Sequence, residues 1–285
     1  GLAFACYAAE RGHQVSLFDQ ASEIGGQFNF AKQIPGKEEF HETLRYFARR
    51  LEKCGVELYL GQRQSAESLL GGGFDEVILA TGIRPRTPNI PGIEHAKVMS
   101  YLDVLRDHKP VGEKVAVIGA GGIGFDVAEY LVEGKGDRSR DHWLKEWGID
   151  KQLGERGGLM APVIDAPERQ VWLLQRKESK VGDGLGKTTG WIHRTVLKNR
   201  KVEMLSGVQY LRIDDEGLHI QVGEQQQCLP VDQVIICAGQ EPLKELQAGL
   251  QAAGKPVHII GGADVAAELD AKRAIRQGAE LAAVI

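Results

Sequence analysis

The chain has 285 residues, 42% hydrophobic and 26% charged, with a formal net charge of −4, the composition of a globular protein long enough for two cores. Scattered basic residues and a negative balance exclude nucleic acid as a partner. No apolar run reaches the roughly 20 residues of a membrane span, and no charged-then-apolar leader opens the sequence, so it reads as cytoplasmic. Cys6, Cys54, Cys228 and Cys237 fit neither C-x-x-C nor a metal spacing. They are expected to be reduced packing residues, leaving no redox dithiol, no iron–sulfur ligand set and no metal site.

Residues 1 to 12 predict an Ala-rich helix with a glycine stop, and 14 to 18 a short strand running into Asp19. Helix, turn, strand and acid make the second half of a nucleotide-binding βαβ unit. Gly1 is then the last glycine of a fingerprint whose strand and leading glycines are missing, and Asp19 the carboxylate for an adenosine ribose. An ordinary surface Asp is the alternative. On this reading the chain is N-terminally truncated. Gly25 and Gly26 let backbone pass close to a ligand or simply make a turn. The string L-F-D-x-x-x-x-I-G-G-Q, which ends at Gln27, is similar to the FAD-binding segment of flavoprotein pyridine-nucleotide oxidoreductases.

Residues 32 to 37 form a turn that launches a helix with Phe40, Leu44, Phe47 and Leu51 at helical spacing, ended by Gly55. These aromatics are core. Lys37 sits at the expected helix start, where the dipole disfavours a cation; a nearby phosphate would account for it, and so would plain solvation. A strand over 56 to 60 leads to a polar stretch around Gln64. Another over 74 to 79 breaks into Ala80, Thr81 and Gly82, then a proline-rich segment to Gly92. That sequence resembles the exit from the FAD domain in the same flavoprotein class, and the first boundary is expected near residues 100 to 112.

Val115 to Gly124 reads V-A-V-I-G-A-G-G-I-G, a buried parallel strand followed by G-x-G-x-x-G. Gly119 permits the tight turn, Gly121 lets backbone approach a pyrophosphate, and Gly124 lets the following helix pack. The helix N-terminus then faces the phosphates. A Gly-rich insertion from 134 to 170, with Trp143 and Trp147 on one helical face, is expected to be a packed excursion. The next strand, 171 to 174, ends in Gln175, Arg176 and Lys177. Where an NAD site places an acid, two cations suit a 2′-phosphate, favouring NADPH; an exposed basic turn is the alternative. Residues 184 to 190 are not a P-loop, because that motif needs glycine where Val181 stands. They make a turn, with Thr188 or Thr189 capping a helix; His193 and Arg194 face substrate or solvent.

Strands are expected at 202 to 205, 208 to 213, 218 to 222 and 234 to 237, the middle pair as a hairpin turning at Asp214 to Gly217. Residues 235 to 242 mark a second exit, returning the chain to the first domain. The strand from Val257 ends in Gly261, Gly262 and Asp264, the last placed to accept from a ribityl hydroxyl. Asp270 caps the final helix, whose N–H groups from Ala271 onward would face a reduced flavin. Strand-end glycines and N-cap aspartates also occur without ligands.

Taken together, I-P-G-K-E-E-F, S-Y-L-D-V-L, G-L-G-K-T-T-G-W-I-H-R, I-C-A-G-Q-E-P and E-L-D-A-K-R-A-I resemble the C-terminal half of bacterial NADPH-dependent 2,4-dienoyl-CoA reductases along essentially the whole chain. The resemblance implies an α/β flavoprotein fold with two Rossmann-like nucleotide-binding domains, the NADPH domain (110–242) inserted in the FAD domain (1–109 and 243–285). It implies FAD at Asp19, Gln27, Lys37 and the start of the last helix, with NADPH phosphate at Arg176 and Lys177. It further implies an N-terminal FMN and 4Fe-4S barrel of the same polypeptide as electron acceptor. Neither that barrel nor its cluster cysteines are in this sequence, and no catalytic side chain is expected here, since positioning two cofactors is the protein's part. A fragment of this kind is expected to bind FAD poorly. Two alternatives stay open: a trimethylamine dehydrogenase-like relative with another substrate, and a non-catalytic nucleotide-binding scaffold.

Overall fold

The computed structural model describes residues 1–134, 137, 139–267 and 270–285. The chain divides into two compact units, Gly1–Arg86 with Gly239–Ile285, and Thr87–Ala238.

The first unit opens with α1 (Leu2–Glu10), whose small side chains let Ala3, Ala5 and Cys6 bury against Phe47 and Leu51. Next come β1 (Ser16–Phe18), α2 (Phe28–Ala31), α3 (Phe40–Lys53) and β2 (Glu57–Tyr59), with β1 and β2 paired in parallel. Phe18 and Tyr59, opposite each other in that pair, stack at 4.8 Å. α4 (Ala66–Gly71) begins at Ser65, whose hydroxyl accepts from the Ser68 N–H at 3.1 Å. β3 (Val77–Leu79) is shorter than the expected 74 to 79. Phe74 turns its ring edge-on to Phe18, and its carbonyl accepts from Lys255, so the chain joins the ladder only at Val77. β4 (Ile83–Pro85) follows.

The second unit contains β5 (Val98–Ser100), α5 (Tyr101–Leu105), β6 (Lys114–Ile118), α6 (Gly122–Val132), α7 (Arg140–Glu146), β7 (Gln170–Leu174), α8 (Gly190–Asn199), β8 (Glu203–Leu205), β9 (Val208–Asp214), β10 (Gly217–Val222), β11 (Gln225–Leu229) and β12 (Gln233–Ile236). Five of these strands form a parallel sheet in the order β5-β12-β6-β7-β8. Beyond their first residue β6 and β7 are buried throughout, as strands covered on both faces must be. One row, Ala116, Ile118, Trp172, Leu174, Val234 and Ile236, packs against Val208, Ile213, Leu218 and Ile220 of the antiparallel β9-β10-β11 meander. α6 lies against β6 and β7, burying Val127, Ala128 and Leu131.

The units part at 86/87 and 238/239, not at 109/110 and 242/243. β5 hydrogen-bonds to β12, which draws the whole 87–109 stretch into the second unit. In the 134–170 insertion, residues 135, 136 and 138 lie outside the described ones. Only part of the rest packs: Trp143, itself half exposed, lies 6.0 Å from Trp147, which meets Trp191 of α8 edge-on at 6.3 Å, whereas Leu153, Leu159 and Val163 are exposed. Buried Arg200 pairs with Glu146 at 2.6 Å and donates to the Asp165 carbonyl at 2.9 Å.

Back in the first unit, β13 (Gln240–Pro242) pairs antiparallel with β4, so the two exit segments form one ribbon. α9 (Gln247–Ala252) precedes β14 (Val257–Ile259), parallel to β3, and α10 (Ala271–Ala282) ends the chain, packed on α1. This unit's strands therefore lie in separate two-stranded pieces. Among the described residues no helix is long and apolar enough to cross a membrane.

Candidate functional site

β6 ends at Ile118 and α6 starts at Gly122, so residues 119 to 121 make a strand-to-helix corner of three residues. The Gly119 N–H donates to the Leu174 carbonyl at 2.9 Å, carrying the β6·β7 ladder one step into the turn. Gly119 has φ +109°, and a side chain there would stand 2.5 Å from the Cys237 carbonyl oxygen. A side chain at Gly124 would come within 1.7 Å of the Gly119 carbonyl oxygen. The chain's own packing thus demands glycine at both positions. Gly121 differs. A Cβ there, or at Gly122, would meet nothing within 4 Å.

Gly121 is also the N-cap of α6, and no side chain caps that end. The first N–H groups of an 11-residue helix therefore point out of an open glycine corner, the arrangement that binds anionic oxygens. Ile118 pairs with Leu174, so the loops after β6 and β7 leave neighbouring strands about 4.8 Å apart. Gln175 ties the second loop down, its side-chain amide donating to the Lys177 carbonyl at 3.0 Å. Arg176 and Lys177 are exposed, and among the described residues neither side chain is ion-paired.

His193 and Arg194 serve the fold instead. His193 Nδ1 lies 2.6 Å from Oε1 of buried Glu129, joining α8 to α6, and Arg194 donates to the Gly182 carbonyl at 2.8 Å. Glu129 was not legible as a partner because 64 residues separate the pair. The cap expected from Thr188 or Thr189 is absent: Thr189 is the N-cap but gives no side-chain bond, and Trp191 Nε1 donates to the Thr188 carbonyl at 3.0 Å.

In the first unit the expected flavin residues are spread over several elements. Asp19 follows β1, and its Oδ1 accepts from the Ala21 N–H at 2.9 Å. Gly26 and Gln27 are exposed at the entry to α2, with Gly26 left-handed at φ +52°. Lys37 is not at the start of α3; that helix begins at Phe40, and Lys37 belongs to the preceding turn, its N–H donating to the Ile34 carbonyl at 3.0 Å. Gln64 accepts from the Ser68 hydroxyl at 2.9 Å, behind the α4 cap.

Gly1 is the N-cap of α1, its carbonyl accepting from the Ala5 N–H at 2.9 Å. Thr81 donates its hydroxyl to the Leu243 carbonyl, and the Gly82 carbonyl accepts from the Leu243 N–H at 3.0 Å, which fastens the two exit segments. Gly262, Asp264, Asp270 and Ala271 gather at the head of α10. There Gly262 is buried, Gln277 donates to Asp264 at 2.8 Å, and Asp270 caps the helix through the Arg273 N–H at 2.7 Å. A recess of about 380 Å³ between α1, α3 and α10 contains none of these residues; Arg50, sandwiched by Tyr7 and Tyr46 and paired with Glu10, lines it.

A parallel sheet, an open glycine corner and an uncapped helix N-terminus define a dinucleotide-binding α/β protein. Residues 1–272 match the family described as pyridine nucleotide-disulphide oxidoreductase, and the chain belongs to that family. Membership implies binding of FAD and a nicotinamide dinucleotide, and makes this an oxidoreductase domain. It is 29% identical over 270 residues to a metal reductase of Desulforamulus reducens, covering 92% of this chain and 39% of that protein. A bilirubin reductase of Mediterraneibacter gnavus is 28% identical over 279 residues, covering 98% of this chain and 38% of the relative. Among solved structures, 2-naphthoyl-CoA reductase in complex with 2-naphthoyl-CoA superposes over the whole chain and 38% of its own, with a TM-score of 0.82 at 23% identity, a likeness of fold. The chain spans about two fifths of the length of these curated relatives.

Despite the family's name, all four cysteines are free thiols, and burial raises the pKa of Cys6 and Cys237. A raised pKa keeps a thiol protonated and poorly nucleophilic.

Proposed function

We propose that this chain is the electron-entry module of a barrel-plus-flavoprotein reductase, taking hydride from NADPH onto FAD. The second unit would hold the nicotinamide nucleotide and the first the flavin. The observation that carries the reading is the open Gly121 corner beside two exposed cations, Arg176 and Lys177, without an ion pair among the described residues, where an NAD site would present an acid. The residues present fit a phosphorylated dinucleotide: space at Gly121 and Gly122, helix N–H donors, and positive charge one strand away.

Bound together, NADPH and FAD supply the hydride donor and acceptor. The chain's part is binding and orientation. Gly121 and the first turn of α6 would take the pyrophosphate, and Arg176 and Lys177 the 2′-phosphate. In the first unit Asp19 would take the adenosine ribose of FAD, Gly1, Gly26, Gln27, Lys37, Gln64, Thr81 and Gly82 would border the flavin nucleotide, and Gly262, Asp264, Asp270 and Ala271 its ribityl and ring end. Electrons would leave through a 4Fe-4S cluster and FMN in another part of the protein, to reduce a 2,4-dienoyl-CoA. Resemblance of the five sequence strings supports that substrate; a reductase of the same architecture acting on a different substrate is the second reading.

The test is anaerobic stopped-flow reduction of the flavin in the full-length protein. NADPH is expected to bleach it far faster than NADH, and equal rates would refute the cofactor assignment. Turnover of a 2,4-dienoyl-CoA by that protein tests the substrate, and its absence would favour the second reading.

A further inference from the structure

The meander of the second unit carries a cluster unconnected with the nucleotide corner. His219 on β10 stands directly opposite Cys228 on β11 and Arg212 on β9, so register sets these three side chains in one row across the strands. The β9–β10 turn adds Asp214 and Glu216. His219 Nε2 lies 3.7 Å from Cys228 Sγ and 3.7 Å from Glu216 Oε2, and the three donor atoms all lie within 4.8 Å of one another. Ligands about 2.0 to 2.3 Å from a tetrahedral ion are separated by roughly 3.3 to 3.8 Å. Two of the three separations already fall in that range.

Burial and charge agree with such a site. The His219 side chain is only 12% exposed, held by the strands, whereas Glu216 at 75% can swing without disturbing the sheet. Asp214 Oδ1 lies 2.9 Å from the same imidazole nitrogen, its other oxygen held by Arg212 at 2.8 Å, so a second carboxylate is within reach. Against these carboxylates the nearby cations are Arg212 and Lys97. A hairpin lock needs the Asp214–His219 pair alone; it does not need a thiol directly across the ladder or a second carboxylate on the same nitrogen.

We propose that Glu216, His219 and Cys228 form a binding site for one divalent ion of the zinc class, with Asp214 as the reserve carboxylate. Thiolate, imidazole and carboxylate are a borderline-soft donor set that favours zinc-like ions over magnesium or calcium. Binding breaks the Cys228 S–H bond and releases its proton to solvent. The imidazole ligates through Nε2, so a neutral ring carries its proton on Nδ1 and a charged ring loses one.

The experiment is titration of the reduced 285-residue chain with Co²⁺ alone, under anaerobic conditions, followed by absorbance. The expected result is a thiolate-to-cobalt charge-transfer band that saturates at one equivalent and is displaced by Zn²⁺. Cys228→Ser, an exposed and nearly isosteric change, should abolish the band, whereas Cys54→Ser should keep it. Glu216→Gln should weaken Co²⁺ binding about tenfold. A band that survives Cys228→Ser, or no band at one equivalent, would overturn the proposal.

Discussion

The two units solve one architectural problem differently. In the second, one continuous five-stranded sheet carries the glycine corner; of its best candidates, Gly121 has open space around it, and the side chains of Arg176 and Lys177 make no hydrogen bond or ion pair among the described residues. In the first, the strands lie in separate pairs, the buried apolar residues fall into small clusters, and the candidates are structurally committed. Thr81 fastens Leu243, Asp264 accepts from Gln277, and Asp270 caps α10. Substitutions in the second unit can therefore separate ligand binding from stability. In the first they would confound the two.

The largest effect should come from the glycine that packing demands. Gly124→Val drives a side chain into the Gly119 carbonyl oxygen, 1.7 Å from its Cβ, and should destabilise the chain by about 3 kcal/mol in urea unfolding. A loss under ~1 kcal/mol would mean that the corner is not rigid. Next, Arg176→Ala with Lys177→Ala would remove the two charge-assisted contacts proposed for a 2′-phosphate. NADPH affinity should fall about 100-fold and NADH affinity by less than about threefold, measured by isothermal titration. Equal losses would make the pair a non-specific anion patch.

Gly121→Ala should change stability by less than ~1 kcal/mol, because its Cβ would meet no atom, yet weaken dinucleotide binding about tenfold by obstructing the phosphate approach. Set beside Gly124→Val it separates a glycine kept for ligand from one kept for fold. The smallest effect is a stability control away from the corner. Asp103 is in the Ser100 capping box of α5 and pairs with Lys109; burial alone would raise its pKa, but the bonds from Lys109 and Ser100 hold it at about 2 against an ordinary 3.8. The stabilisation is thus complete above about pH 4 and lost as pH falls through about 2. Asp103→Asn should cost about 1 kcal/mol at pH 7, and that difference should shrink steadily below pH 4.

Local signals gave away the second unit more fully than the first. V-A-V-I followed by glycines declares strand, turn and helix within ten residues, and β6 and α6 lie there. β11 escaped notice because Gln225, Gln226 and Gln227 show no apolar alternation. It is an exposed edge strand held by its register with β10. The β4·β13 ribbon has no strand-like pattern either, with Pro85 and Pro242 at its ends, and it forms because residues 155 or more apart in sequence are brought together. The same limit hid Glu129 behind His193, and hid the metal-type cluster, whose members come from the β9–β10 turn, β10 and β11 at no recognisable ligand spacing. Sequence patterns report elements and single loops; pairings across the fold need the fold.

The central claim is that the corner after β6 and the cations after β7 together read a 2′-phosphate. It is tested most directly by the dissociation constants of NADPH and NADH for this chain, measured side by side at one ionic strength. The account predicts NADPH binding at least about tenfold tighter, with the preference abolished by Arg176→Ala and Lys177→Ala together. Equal affinities for the two nucleotides, or a preference that survives the double substitution, would contradict it.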